Sequence, residues 1–458
     1  MEKSYFRGLA EYFHSYTFFD IDAATLHQVK RSLVNYLGGS IYTASHQSCS
    51  ALLDLIRELD PGNGKSTIWA NEQPMTPMIA AFSNAARLSS IELNDGTKAS
   101  AHPGIYVWSS ILATYQQFSA SIQDVIRAVV FGYDVCTRMA LLSIERIREL
   151  GLHNPGFVGG LGAVSAAGML RGLSVDQLCN AFGMTAAMLP LCPFVSFVEG
   201  ADTKDLYGGW GTYLAMFAVE AASRGLTGPE TILKGMKALD TVFQGEAGKD
   251  INPGEYYFIN DLSIKEFPAC FAINPAVKAT LALRQNHTFD TNQIKSILVK
   301  SYPYSYDLNK GVGLELNTTS CRLSLNHSVA VALMDGKVTP DSYSNKALQD
   351  PQYTELKRKI ETARHNEYGI GPHGRRACII EVTLQDGQVL CEEFDASSHK
   401  KVTSDSELLA KFNDLTKQAL SVTEQKDLYD FAMNLEKQES FEPLLQVLRD
   451  LPIVEEEH

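Results

Sequence analysis

The sequence predicts a mostly α protein: a large all-helical domain, discontinuous along the chain, with a smaller α+β domain inserted toward its C-terminal end. Three observations lead there. Apolar residues recur at helical spacing through the first half and again from residue 404 onward. Between residues 263 and 402 the pattern shifts to alternating, β-branched runs broken by an Asp-Gly turn. The chain has 458 residues, 45% apolar and 20% charged, enough for two or three domains with large cores.

The elements follow in order. "DAATLHQVKRSLVNYLGG" sets Leu26, Val29, Leu33, Val34 and Leu37 on one face, and Gly38-Gly39 predicts the helix end. "CSALLDLIREL" continues the helical pattern. "SIQDVIRAVVFGYDVCTRMALL" opens on Ser121 with Asp124 three residues later, the spacing of a capping box. "LSVDQLCNAFGMTAAML" repeats the device with Ser174 and Gln177. Between them "GGLGAVSAAGML" is rich in Gly and Ala, which lets helix backbones approach closely. "DLYGGWGTYLAMFAVEAASRGLTG" reads as another buried helix, ending at Gly225.

"IKSILVK" and "ACIIEVTLQDGQVLCEEFDA" are strand-like, the second a hairpin at Asp386-Gly387. "NHSVAVALMDGKV" is a short buried helix between them. Helices return in "SDSELLAKFNDLTKQAL" and "TEQKDLYDFAMNLEKQ", whose apolar faces need a partner. Docking on the first part makes that domain discontinuous. The expected division is 1–262, 263–402 and 403–458.

Composition excludes several function classes. A net charge of -13 argues against nucleic acid, whose binding needs dense Lys and Arg. No apolar run reaches membrane-spanning length. "MEKSYFRGLAEYF" lacks the features of a secretory signal, and the eight cysteines are scattered with no Cys-x-x-Cys pair. A cytoplasmic protein without membrane, disulfide framework or zinc knuckle is expected. "DPGNGKST" imitates a phosphate loop, but Leu59 stands where the first glycine belongs, and a helical pattern precedes it. "GGLGAVS" imitates a dinucleotide fingerprint without a βαβ unit around it. No His-x-x-x-His or Gly-x-Ser-x-Gly occurs, so neither a metal nor a serine hydrolase is expected.

The candidate chemistry lies in polar residues at helix or turn ends. "SIELNDGTKASAHPGIYVW" places Glu92, Asp95 and His102 around a turn. "GLHNPGFVGGLGAVSAAG" sets His153 before a small-residue helix, and "EGADTKDLYGGWG" sets Lys204 before a buried one. "KEFPACFAINPAVKA" brings Cys270 and Asn274, and "SLNHSVAVALMDG" brings His327. Each also has an ordinary reading. His153 can cap its helix, Lys204 can pair with Asp202 or Asp205, and Cys270 and His327 can be core residues. Asn274 can be an N-cap before Pro275.

Taken in this order, these stretches resemble the MmgE/PrpD family. The most specific pieces are "IELNDGTKASAHPG", "HNPGFVGGLGAVSAAGMLRGLSVDQLCNAFGM", "TKDLYGGWGTYLAMFAVEAASRGLTGP", "FPACFAINPA" and "LSLNHSVAVALMDGKV". The family includes 2-methylcitrate dehydratase, cis-aconitate decarboxylase and iminodisuccinate epimerase. The resemblance implies a helical domain with an α+β lid, a homodimer without cofactor, and a small polycarboxylate substrate. It places the acidic site position on Glu92 or Asp95, the site histidines on His102 and His153, and the site lysine on Lys204. A lid position falls on Cys270, with Asn274 and His327 on the substrate side. His327 falls where the decarboxylase has Tyr. Two departures stand out: many members have His at Asn274, and the decarboxylase has His at Cys270.

The family's reactions share the problem of forming a carbanion beside a carboxylate, whose charge fixed cations must neutralise. The resemblance therefore implies His102 or His153 as base, the other near the leaving hydroxyl, Lys204 clamping a carboxylate, and Glu92 orienting a histidine. A dehydratase is the leading expectation. An epimerase using Cys270 as second base, a decarboxylase, and a catalytically dead polycarboxylate-binding homologue are the alternatives.

Overall fold

Asp22 starts the first long helix, Ala23–Ser45, by accepting a hydrogen bond from the Thr25 amide. The computed structural model describes residues 4–454 other than 47, 61, 72, 119, 234–238, 240, 244–251, 369–374 and 398–402. The expected boundary at residue 402 lies outside the described residues. Helix 23–45 runs straight through Gly38 and Gly39, which corrects the predicted stop. A Cβ at Gly39 would lie 2.5 Å from Leu88 Cδ1, and one at Gly38 would lie 3.4 Å from Leu415 Cδ1. The glycines are crossing points for neighbouring helices. They give up some helix propensity for close packing.

Serine caps form where the spacing predicts them. Ser121 accepts from the Asp124 amide and opens the helix Ile122–Glu149. Ser174 and Gln177 form a reciprocal capping box on Val175–Ala187. The structure adds two such boxes that the sequence reading did not name, Ser404 with Glu407 and Ser421 with Glu424 on the returning tail helices. The Gly/Ala stretch is the helix Asn154–Leu170, which packs between helices 122–149, 103–118 and 203–223. At Gly160 a Cβ would sit 3.0 Å from the Gly211 carbonyl oxygen, so side chains are excluded from that crossing.

Two large apolar cores result among the described residues, beside a minor cluster of Tyr302, Tyr368 and Ala377. The larger gathers Phe13, Leu33, Trp108, Phe131 and Val164 with Leu408, Phe412 and Leu444 of the tail. The smaller gathers Val277, Val299, Val331 and Ile380. It is built on a four-stranded sheet in the order 360–364, 294–301, 377–384, 389–395. The last two strands are the predicted hairpin, with Gly387 at φ 89°. Strand Ile360–Arg364, which the sequence reading missed, pairs parallel to Ile294–Ser301, with Ile297 opposite Ile360. It is a short edge strand with little apolar alternation to announce it. A two-residue ladder, Asp95–Gly96 with Ser263–Ile264, stitches the "IELNDG" turn to the segment leading into the smaller core.

Among the described residues no helix is long and apolar enough to cross a membrane. All eight cysteines are unpaired.

Candidate active site

Between the two cores lies a cavity of about 230 Å3. Its floor begins at Glu92, just after the helix Pro77–Ser90, in left-handed backbone (φ 53°). Two ammonium groups donate to its carboxylate: Lys204 to one oxygen and Lys265 to the other. Burial alone would raise the Glu92 carboxyl, but Lys204 and Lys265 outweigh it and hold the group well below the usual carboxylate range. Lys265 follows the short ladder directly, and Lys204 belongs to the first turn of the helix Thr203–Ser223.

Two histidines stand on the cavity wall in opposite tautomers. His102 Nδ1 lies 2.6 Å from the Asp95 carbonyl oxygen. A carbonyl only accepts, so Nδ1 carries the proton and Nε2 keeps a lone pair. Burial first, and the Lys265 charge second, push His102 down to about 3. Its ring stacks on Phe271 with centroids 5.7 Å apart. His153 is the N-cap of helix 154–170, and its Nδ1 accepts from the Gly156 amide at 3.2 Å. Its proton is therefore on Nε2. Burial, then Lys204, lower His153 to about 3 as well.

Cys270 lines the cavity, its thiol raised by burial and by the Glu92 charge. At the mouth stand Arg148 from the helical part, and Tyr302, Tyr304 and Arg376 from the smaller part. Arg148 lies 4.8 Å from the Tyr304 ring centroid. Strained backbone concentrates here: Glu92, Ala99, Ser100 and Cys192 all have positive φ. Asn154 Nδ2 donates to the Ala99 carbonyl at 2.7 Å, and the His153 amide donates to the Cys192 carbonyl at 2.7 Å. The surrounding hydrogen bonds hold these unfavourable conformations, a pattern common at functional sites. A base, a hydrogen-bond donor and several cations around one small cavity can take a proton from a carbon beside a carboxylate.

Residues 7–252 match the MmgE/PrpD N-terminal domain, and residues 267–437 match the MmgE/PrpD C-terminal domain. The chain belongs to the MmgE/PrpD family. It is 23% identical to cis-aconitate decarboxylase from Homo sapiens, over 98% of this chain and 95% of that protein. It is 24% identical to the mitochondrial 2-methylcitrate dehydratase of Yarrowia lipolytica, over 84% of this chain and 78% of that protein. It is 23% identical to 2-methylcitrate dehydratase from Cupriavidus necator, over 82% of each. These relatives are lyases, and this MmgE/PrpD chain is an enzyme of that class.

The structure brings Glu92, His102, His153 and Cys270 together on one cavity wall. It does not bring Lys204, Asp95, Asn274 or His327 onto that wall. Lys204 lies behind Glu92, bonded also to the Ser89 carbonyl at 2.9 Å, so Lys265 is the ammonium that reaches the cavity. Glu92 pairs with lysines and not, as expected, with a histidine. The Asp95 carboxyl accepts from Tyr133 and from the Gly104 amide at 3.0 Å, capping the next helix while its carbonyl sets the His102 tautomer. Burial raises that carboxyl to about 6. Asn274 is the first residue of the helix Asn274–Asn286 and not its N-cap; its Oδ1 is buried without a partner among the described residues. His327 is a core residue whose Nε2 donates to the Ser342 carbonyl at 2.8 Å.

Sequence reasoning missed Lys265, Arg148, Tyr302, Tyr304 and Arg376. Lys265 stood inside the stretch "KEFPACFAINPAVKA", five residues before Cys270, and its signal was that placement. The four mouth residues carry no local signal.

Proposed function

We propose that this enzyme is a cofactor-independent hydro-lyase of the 2-methylcitrate dehydratase type. Its substrate is a small hydroxy-polycarboxylate, from which it removes a proton beside a carboxylate and expels the β-hydroxyl. The observation that carries the reading is the opposed tautomers of His102 and His153 on one cavity wall. The bare Nε2 of His102 takes the proton from carbon, and Lys265 offsets the charge that grows on the adjoining carboxylate. His153 holds the leaving hydroxyl through its Nε2–H. Giving that proton up entirely would leave an imidazolate, so His153 positions the hydroxyl and does not deliver the proton. The His102 imidazolium returns the proton to the hydroxyl, and water leaves as the double bond forms. The elimination is therefore syn, with one proton moving from carbon to oxygen.

The test is proton NMR of the purified, chelator-treated enzyme in heavy water, with 2-methylcitrate, citrate and cis-aconitate. Expected is a vinylic methyl signal from 2-methylcitrate or a vinyl proton from citrate. A second reading is decarboxylation of cis-aconitate, which the near full-length match to the human relative supports. Release of carbon dioxide from cis-aconitate without hydration would replace the first reading with the second. The epimerase reading is weaker, because burial and Glu92 hold Cys270 as a thiol, whereas its base role needs the thiolate.

The enzyme is also proposed to be a homodimer. Trp210 and Phe217 on the helix 203–223 are 52% and 44% exposed, with half-buried Tyr213 and Phe82 beside them. Large aromatics in a contiguous patch favour burial against a second copy. Trp210→Asp should convert the dimer to monomer in sedimentation; a wild-type monomer refutes the assignment. The unpaired cysteines support a cytoplasmic location.

A further inference from the structure

A second cavity, about 930 Å3, is separated from the first by a chain of ion pairs. Glu92 lines the first cavity and Asp205 the second, and Lys204 pairs with both. The second cavity also lies between the two cores, walled by Ser50 and Asp205 on one side and by Thr319, Arg322 and Tyr343 on the other.

Its polar groups are incompletely satisfied. Arg322 is 7% exposed, and its Nε donates to the Ser90 carbonyl at 2.8 Å. Its Nη1 is buried with no hydrogen-bond partner among the described residues. A buried guanidinium N–H without an acceptor is costly, so its place on a cavity wall points to an anion. Asp205, also 7% exposed, has Oδ1 3.4 Å from Lys204 Nζ but outside hydrogen-bonding geometry. That oxygen points to a donor on the same ligand. The helix Ser50–Leu59 adds its N-terminus: Cys49 precedes it in left-handed backbone with no side-chain cap, and Ser50 and Ala51 line the cavity. First-turn amides have no intrahelical acceptor. Asp202 and Asp205 together disfavour a ligand with several negative charges.

We propose that this cavity binds a small 2-hydroxy monocarboxylate, its carboxylate on Arg322 and its hydroxyl donating to Asp205. The site is distinct from the catalytic cavity but mechanically tied to it. The Arg322 carbonyl accepts from the Cys270 amide at 2.9 Å, and its guanidinium holds Ser90, two residues before Glu92. A ligand that draws Asp205 from Lys204 leaves that ammonium more fully to Glu92.

Calorimetric titration of the full chain with lactate tests this, with acetate and citrate as comparators. Expected is one lactate per chain, with acetate and citrate each about tenfold weaker or worse. Arg322→Gln and Ala51→Trp should each abolish lactate binding; the second adds bulk at an exposed position on the rim and leaves the buried pairs intact. Asp205→Asn should erase the preference for lactate over acetate. Lys265→Met, on the catalytic side, should still bind one lactate per chain, its affinity shifted only through the Glu92–Lys204–Asp205 chain. No lactate binding by wild type, unchanged binding by Arg322→Gln or Ala51→Trp, or loss of binding in Lys265→Met would overturn the proposal. These readouts do not require turnover and are independent of the reaction assigned to the first cavity.

Discussion

Glu92→Gln is the most informative single change. It keeps the side-chain shape and removes the negative charge that lies between two buried ammonium groups. Lys204 keeps Asp205 at 3.4 Å, whereas Glu92 is the carboxylate to which Lys265 Nζ donates. Breaking a buried pair by removing one partner costs about 3–5 kcal/mol. The variant can limit that cost by folding with one of the two lysines neutral. The unfolded chain, whose lysines titrate near pH 10.4, then binds up to one more proton than the folded chain. Neutralising a lysine costs about 4.6 kcal/mol at pH 7 and about 1.9 kcal/mol at pH 9, so a penalty of about 3–5 kcal/mol should shrink by about 1–2.7 kcal/mol as pH rises from 7 to 9. Urea unfolding of both proteins at the two pH values reads this directly. A neutral lysine also loses its hold on the substrate carboxylate, so kcat/KM should fall by about a hundred- to a thousand-fold. A Glu92→Gln variant within about 1 kcal/mol of wild type, with a gap that does not change with pH, would refute the two-lysine reading of the site.

Other expectations follow from the same geometry. Because His102 sits at about 3 in the empty cavity, the acid limb of kcat/KM for this group should lie below about pH 5, while bound carboxylates raise the limb of kcat; a shared limb near pH 6.5 would count against His102 as the base. Folded His102 binds fewer protons than the unfolded chain between about pH 3 and 6.5, so it costs stability as pH falls through that window. His102→Gln should lose about a hundred- to ten-thousand-fold in kcat yet unfold less readily in acid, which a pH series of thermal melts would check. Cys270→Ser should retain dehydratase activity within a few fold, and its complete loss would return the thiol to the mechanism. Lys411, on the returning helix Asp405–Thr416, donates to Asn35 Oδ1 at 2.7 Å, to the Leu93 carbonyl at 3.2 Å and to the Lys265 carbonyl at 2.7 Å. Lys411→Met should therefore lower kcat by about ten- to a hundred-fold by loosening both catalytic segments, with partial rescue in Lys411→Arg; an unchanged kcat would make it a packing residue only.

What could be read from the sequence divides along the range of the interaction. The serine caps at 121 and 174 and the turn at Asp386-Gly387 depend on neighbours three or four residues away, and they formed as the spacing predicted. Gly38-Gly39 reads locally as a helix stop, but the atoms that determine its role are Leu88 and Leu415, far along the chain. The same division runs through the active site. Glu92, His102, His153 and Cys270 were legible because an ionisable residue at a turn or helix end beside a buried run is itself a local signal. The choice between Lys204 and Lys265 was not, because it depends on a ladder that pairs Asp95 with Ile264 and sets Lys265 beside Glu92. Least legible of all are the proton positions. His153 is a helix cap and a wall of the cavity at once, and capping is what leaves its proton on Nε2. His102 owes its bare Nε2 to the backbone carbonyl of Asp95, a residue whose side chain never reaches the cavity. The ordinary and the proposed catalytic readings of these residues are thus compatible: the structural hydrogen bond is what fixes which nitrogen of each imidazole faces the cavity bare or protonated.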